Sequence, residues 1–193
     1  MLLRKKHTLK GPNNPAKLQY AYMNDELVDQ VNPDNQVVRT ISKLEAHRKG
    51  WLHRTVIAEV TDAFGNIILV RQAPDRQDPG QYVCPVGGHV KSGESILDAL
   101  TRESMEEIGT SNFSLTAVDE FIYERHVIGR HENHFFIVFS LEVDPAEIIL
   151  GPESVSYRSF TPLQLKQALT QTPEIFGASY IALLKRCHPQ LLS

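Results

Sequence analysis

Three glutamates give this sequence its first sign of chemistry. Glu103, Glu106 and Glu107 stand at i, i+3 and i+4, positions that are neighbours on one helix face. Three like charges in one patch repel, so the arrangement costs stability unless a cation sits among them. Carboxylate-only, hard-oxygen ligation points to Mg²⁺, with Mn²⁺ as a substitute, rather than to zinc. The surrounding pattern supports a helix over about 95–108, because Ile96, Leu97, Leu100, Ser104 and Ile108 fall close to one face at helical spacing. Ser92 or Ser95 can cap its start, and Gly109 sits where a helix stops. The stretch just before reads Gly87-Gly88-His89-Val90-Lys91-Ser92-Gly93-Glu94. Its glycines let backbone approach a metal or a phosphate closely.

The spacing is specific. Gly88, five residues, Glu94, seven residues, Arg102-Glu103, two residues, Glu106-Glu107, one residue, Gly109 is a pattern expected by chance on the order of once in 10⁸ placements, taking each fixed residue at about one in fifteen. It resembles the signature of the Nudix hydrolase family, complete at the fixed positions. Ser104 and Thr110 depart from it, where the family usually has aliphatic residues. The resemblance covers roughly residues 24–187 and implies an α/β fold, the α/β/α sandwich with a mixed β-sheet. It also implies roles. Glu106 and Glu107 match metal ligands, and Glu103 matches a ligand or general base. Gly88 would offer a backbone carbonyl to metal, Arg102 would orient the glutamates, and Glu94 would pair with Arg102. In some members the base lies on a later strand or loop; Glu132 and Glu124 are the candidates here, Glu132 preferred. The substrate implied is a small molecule with a diphosphate linkage, most simply a nucleotide or nucleoside diphosphate derivative. Hydrolysing it at neutral pH requires cations on the phosphate oxygens and an activated water.

A second resemblance is to the isopentenyl-diphosphate isomerase branch of that family. It rests on Trp51-Leu52-His53-Arg54 before a strand, Gly88-His89 in the signature loop, and Glu132-Asn133 opening a late strand. In that branch histidines and late glutamates bind a metal, which makes His47, His53, His89 and Glu132 a possible second metal site. The isomerases need a cysteine where this chain has Gly87, and they keep a second glutamate where it has His134. Cys84 lies three residues upstream and reads as a small buried apolar residue. Hydrolysis is therefore the leading reading, isomerisation the alternative, and a Nudix-fold ligand sensor the third. Among residues able to grip or stack a substrate, Arg71 and Arg76 are the phosphate-binding candidates, with Arg125 and Arg130 behind them. Tyr82, Tyr123 and Phe121 are candidates for base stacking.

Bulk properties set the frame. The chain has 193 residues, 41% of them hydrophobic, enough for one domain with a sizeable core. No apolar run approaches the ~20 residues that span a bilayer, and Met1–Lys6 is too short in its apolar part for a secretory signal. Two cysteines, Cys84 and Cys187, do not make a disulfide framework, so a cytoplasmic setting is expected. Residues 1–24 hold five Lys/Arg and no acid, leaving a balance of −8 over the rest. An acidic body argues against nucleic acid as a partner. A homodimer through the basic arm and the hairpin over 26–39 is a further expectation.

The elements that must position these residues follow from pattern. Residues 1–23 form an irregular lead-in, 24–50 a short hairpin and helix, 51–187 the core, and 188–193 a tail. The hairpin spans 26–31 and 36–39 around Asn32-Pro33-Asp34-Asn35, and Thr40–Lys49 reads as a helix stopped by Gly50. Strands are expected at 53–61, 67–71, 82–86, 115–126, 133–143 and 154–160, with a connecting loop at 127–132. Helices are expected at 162–169 and 176–186. This order gives a mixed sheet covered by helices on both faces.

Overall fold

Strand β3, His53–Thr61, is the axis of the sheet. Its sequence HRTVIAEVT alternates, and the alternation sorts the core. Val56, Ala58 and Val60 point to one face and Ile57 to the other, and each belongs to a different hydrophobic cluster. The computed structural model describes residues 25–192; the basic lead-in lies outside them.

The remaining elements are β1 (Leu27–Val31), β2 (Val37–Ser42), α1 (Lys43–Lys49), β4 (Ile67–Gln72), β5 (Tyr82–Val83), β6 (Val86–His89), α2 (Ile96–Ile108), β7 (Ser114–Val127), β8 (Arg130–Glu142), β9 (Ser154–Phe160), α3 (Pro162–Gln171) and α4 (Ala178–Cys187). On one side β3 pairs in parallel with β8 along its whole length, His53 opposite His134 and Thr61 opposite Glu142. Its other side is shared antiparallel by β1, β6 and β4 in turn. Beyond β4 lies β9, and β7 borders β8. Helix α2 covers one face through Ala99, Leu100 and Ile108, against Phe135, Ile137, Phe139 and Leu141 of β8. Helices α3 and α4 cover the other through Leu165, Leu169, Tyr180, Leu183 and Leu184, against Phe136 and Val138. The mixed sheet between helical layers is the architecture the pattern implied. Among the described residues no helix is long and apolar enough to cross a membrane.

Three boundaries differ from the sequence reading. Thr40–Ser42 completes β2, and helix α1 starts only at Lys43, because the Ser42 hydroxyl accepts the Glu45 N–H as its cap. The expected strand 82–86 is broken between β5 and β6 at Cys84-Pro85, where proline has no N–H to give the ladder. The expected loop 127–132 contracts to a tight turn, with Ile128 and Gly129 both at positive φ (48° and 69°). That geometry matches the strand twist of a hairpin, so Arg130, His131 and Glu132 are strand residues.

Candidate active site

Helix α2 and strand β6 build the site together. The Ser95 hydroxyl caps α2 by accepting the Asp98 N–H, and Gly109 ends it in the left-handed region. Ser92, the other cap candidate, instead donates to Asp29. The helix therefore begins nearly two turns before Arg102 and carries Glu103, Glu106 and Glu107 back under Gly87 and Gly88.

Arg102 is the hub. Its Nε and Nη2 donate to the two oxygens of Glu94 at 2.7 and 2.9 Å, its Nη1 donates to Glu103 at 2.6 Å, and Nη2 also donates to the His89 carbonyl at 2.9 Å. Arg102 holds the Glu94 carboxyl below its usual range. Glu106 Oε2 lies 3.6 Å from the same guanidinium and stays largely exposed. Glu107 accepts the Gly87 N–H at 2.7 Å. Burial pushes the Glu107 carboxyl well up, and the nearby Glu103, Glu153 and Glu106 add to it. Glu103 is raised too, first by burial. One guanidinium thus serves several carboxylates, and Glu107 has no cation beside it among the described residues. All-oxygen donors carrying surplus negative charge fit a hard divalent ion such as Mg²⁺. Gly88 makes the packing possible: a Cβ there would lie 2.0 Å from the Glu103 carboxyl.

These groups line a cavity of about 600 Å³, within the range of small-molecule sites. Beside it four histidines converge, of which His89 and His134 reach its lining. His47 comes from α1, His53 from the start of β3, His89 from the end of β6 and His134 from β8. Each offers a ligand atom, all within 4.8 Å of one another; among the described residues this is the group of metal-ligating side chains drawn so close. The β3–β8 and β3–β6 registers bring them together, His53 opposite His134 and Thr55 opposite His89. His53 Nδ1 lies 2.7 Å from the Trp51 carbonyl, which only accepts, so Nδ1 carries the proton; its buried Nε2 has no partner. His47 Nε2 lies 3.1 Å from His89 Nε2 and 3.4 Å from His134 Nε2. Burial lowers His47 to about 3 and His53 to about 4, and pushes His89 and His134 well down. All four are neutral at pH 7, the state a metal ligand needs. An all-imidazole set fits a transition ion rather than Mg²⁺.

Glu132 is not in this group. Its carboxylate accepts from Arg125 Nε at 2.7 Å, while Arg125 Nη1 and Nη2 donate to Asp78 at 2.7 and 3.0 Å. The fourth member is His134, two residues on along the same face of β8. Glu132 still borders the cavity, whereas Glu124 points to the exposed side and pairs with His131. Arg71 does not line the cavity; its Nε donates to the Gly80 carbonyl and holds the loop after β4. Arg76 does line it and pairs with Glu153 at 2.8 Å. Of the three aromatic candidates only Tyr123 reaches the cavity, stacked on Phe136 at 5.1 Å. Tyr82 packs edge-on against Phe160, and Phe121 against Phe136. Cys84 is buried, with its thiol pushed well up. Two contributors escaped the sequence reading, His134 in the tetrad and Asp78 as anchor of Arg125, while Arg130, a phosphate candidate, sits against His47. For His134 a signal existed, since Glu132 and His134 alternate onto one strand face.

A model of the NUDIX domain matches residues 51–179. The chain belongs to the Nudix family. It is 29% identical over 163 residues to an isopentenyl-diphosphate Delta-isomerase of Serratia proteamaculans, covering 83% of this chain and 90% of that protein. It is equally 29% identical over 150 residues to the uncharacterised Nudix hydrolase YfcD of Escherichia coli K12, covering 73% of this chain and 83% of the relative. Among solved structures, DR0079 from Deinococcus radiodurans aligns with a TM-score of 0.69 at 25% identity, over 84% of this chain and 99% of that one. The Nudix signature thus sits on the Nudix fold, with the acidic helix and the glycine strand facing one cavity.

Proposed function

We propose that this protein is a divalent-metal-dependent hydrolase of a diphosphate linkage in a small molecule, a nucleotide or nucleoside diphosphate derivative. The observation that carries the reading is the Glu103–Glu106–Glu107 face, held by Arg102 and the Gly87 N–H at the edge of the cavity. Those three glutamates are the residues that would hold Mg²⁺ or Mn²⁺, with the Gly88 carbonyl beside them. When bound, such an ion neutralises phosphate charge and lowers the pKa of a coordinated water. The chain's own groups do the rest. Arg102 fixes the Glu103 carboxylate, Arg76 offers a guanidinium to a phosphate, and Tyr123 offers a ring face to a base. Glu132, oriented by Arg125, is a further carboxylate lining the cavity and able to accept a proton.

The test begins with Glu106→Gln and Glu107→Gln. Each is expected to abolish Mg²⁺-dependent turnover of the best substrate from a panel of nucleoside diphosphates, triphosphates, dinucleoside polyphosphates and nucleotide sugars, with unchanged circular dichroism. Full activity of either variant at limiting metal would remove the ligand assignment. Allylic product from isopentenyl diphosphate would favour isomerisation, the activity named for the Serratia relative; Gly87 and the poorly ionised Cys84 speak for hydrolysis.

A second ion would be held at the border of the cavity by His47, His53, His89 and His134. The proton fixed on His53 Nδ1 leaves its Nε2 lone pair aimed at the group, as in ligating histidines held by a carbonyl. One equivalent of Zn²⁺ retained through gel filtration by the wild type and lost by His134→Ala is the expected result.

A further inference from the structure

Arg130 opens β8 with its side chain on the tetrad. Its Nη2 lies 2.6 Å from His47 Nδ1 and 3.3 Å from His47 Nε2. A guanidinium only donates and is charged at any working pH. The short contact therefore requires a lone pair on His47 Nδ1 and places the imidazole proton on Nε2, where His89 Nε2 is in reach at 3.1 Å. That proton sits on the atom an ion would need. An ion bound through His47 Nε2 moves the proton to Nδ1, and Nδ1–H then faces a donor. The ion also brings two positive charges next to a guanidinium already within van der Waals distance of the ligand atom. On both counts an ion on the tetrad and Arg130 on His47 exclude each other.

Arg130 has another place to go. It lines the cavity shared with Arg102, Glu103 and Glu107, and among the described residues no carboxylate holds it in an ion pair, unlike Arg76, Arg102 and Arg125. We propose that Arg130 is a metal-released phosphate clamp: an ion on the four histidines detaches its guanidinium from His47 and presents it to the anionic substrate in the cavity. The proposal rests on reading the tetrad as an ion site. It makes the two ligands of the cavity cooperative, and such coupling is reciprocal. It also gives the histidine site a role that does not require its ion to touch the reacting phosphate.

The full chain tests this without turnover. Zn²⁺ affinity is measured by competition with a chromophoric chelator, in the absence of Mg²⁺, for the wild type and for Arg130→Met. Removing the competing guanidinium is expected to tighten Zn²⁺ binding by about tenfold, in the usual range of site–site coupling. Imidazole ¹⁵N correlation spectra of the wild type report the tautomer directly; His47 is expected to change from an Nε2–H to an Nδ1–H ring on Zn²⁺ loading. Sulfate, an oxyanion too weak a chelator to strip the ion, probes the clamp. Zn²⁺ should strengthen its binding to the wild type by a larger factor than to Arg130→Met. Unchanged or weaker Zn²⁺ binding by the variant, a loaded His47 still accepting at Nδ1, or equal sulfate gains in both proteins would overturn the clamp while leaving the ion site standing. Failure of the wild type to take up Zn²⁺ would instead remove the ion site, and the clamp with it.

Discussion

Gly88 shows how much one missing side chain can decide. It faces the carboxyl of Glu103 so closely that any Cβ would overlap it at 2.0 Å. Gly88→Ala must therefore displace a carboxylate that Arg102 otherwise fixes at 2.6 Å. A misplacement of about 1 Å in a catalytic group costs on the order of 10²-fold in rate, so Gly88→Ala should lower kcat by about that factor with substrate KM little changed. Steady-state kinetics at saturating Mg²⁺ check it. At this scale the sequence was readable for residues fixed by spacing along one helix. Glu103, Glu106 and Glu107 share a face because 3.6 residues make a turn. The surroundings of Glu132 were not readable for the converse reason. Its partner is fixed by Asp78, which lies in the loop after β4 and accepts from Arg125; nothing in local spacing carries that information.

At the scale of elements, the end of α4 is tied to the central strand by His188 and Glu59, 2.7 Å apart. The Glu59 carboxylate raises the His188 imidazole above its usual 6.5, against a smaller opposing effect of burial. A raised folded-state value stabilises the fold while histidine is charged. The contribution is fully present below about pH 6.5 and is lost as pH rises through the folded-state value. The melting temperature of the wild type should therefore fall, relative to His188→Gln, as pH is raised from 6 to 9. A constant difference across that range would show the pair to be energetically silent. The elements themselves were mostly legible, because period-two and period-3.6 patterns with capping residues specify them locally. The contraction of 127–132 was not. A strand rich in polar residues pairs here because its neighbour β7 offers a ladder, and Ile128 tolerates a positive φ that its side chain would ordinarily avoid.

Across the whole molecule, one buried network ties the loop after β4 to β7 and β8. Arg125 bridges Asp78 and Glu132, and all three side chains are nearly excluded from solvent. Taking away the cation leaves two carboxylates without their partner, a change that typically costs 3–5 kcal/mol. Arg125→Met should accordingly lower unfolding free energy by roughly 3 kcal/mol in urea titrations, whereas a loss below about 0.5 kcal/mol, the level of an ordinary surface change, would mean that solvent replaces the guanidinium freely.

By itself the sequence determined the shared face of the three glutamates, the glycines that face it, and the alternation that divides β3 and β8 between two helical layers. Each of these is a short-range relation, set by helix pitch, strand pleat and the few backbone shapes glycine permits. Only the tertiary structure decided which distant residues meet. The parallel register of β3 with β8, and the antiparallel register of β3 with β6, place His53, His134 and His89 around one point, and helix α1 adds His47. Strand register is chosen by the burial of whole faces, not by the histidines themselves. The four imidazoles are scattered over nearly ninety residues of sequence and become a site only when the sheet closes.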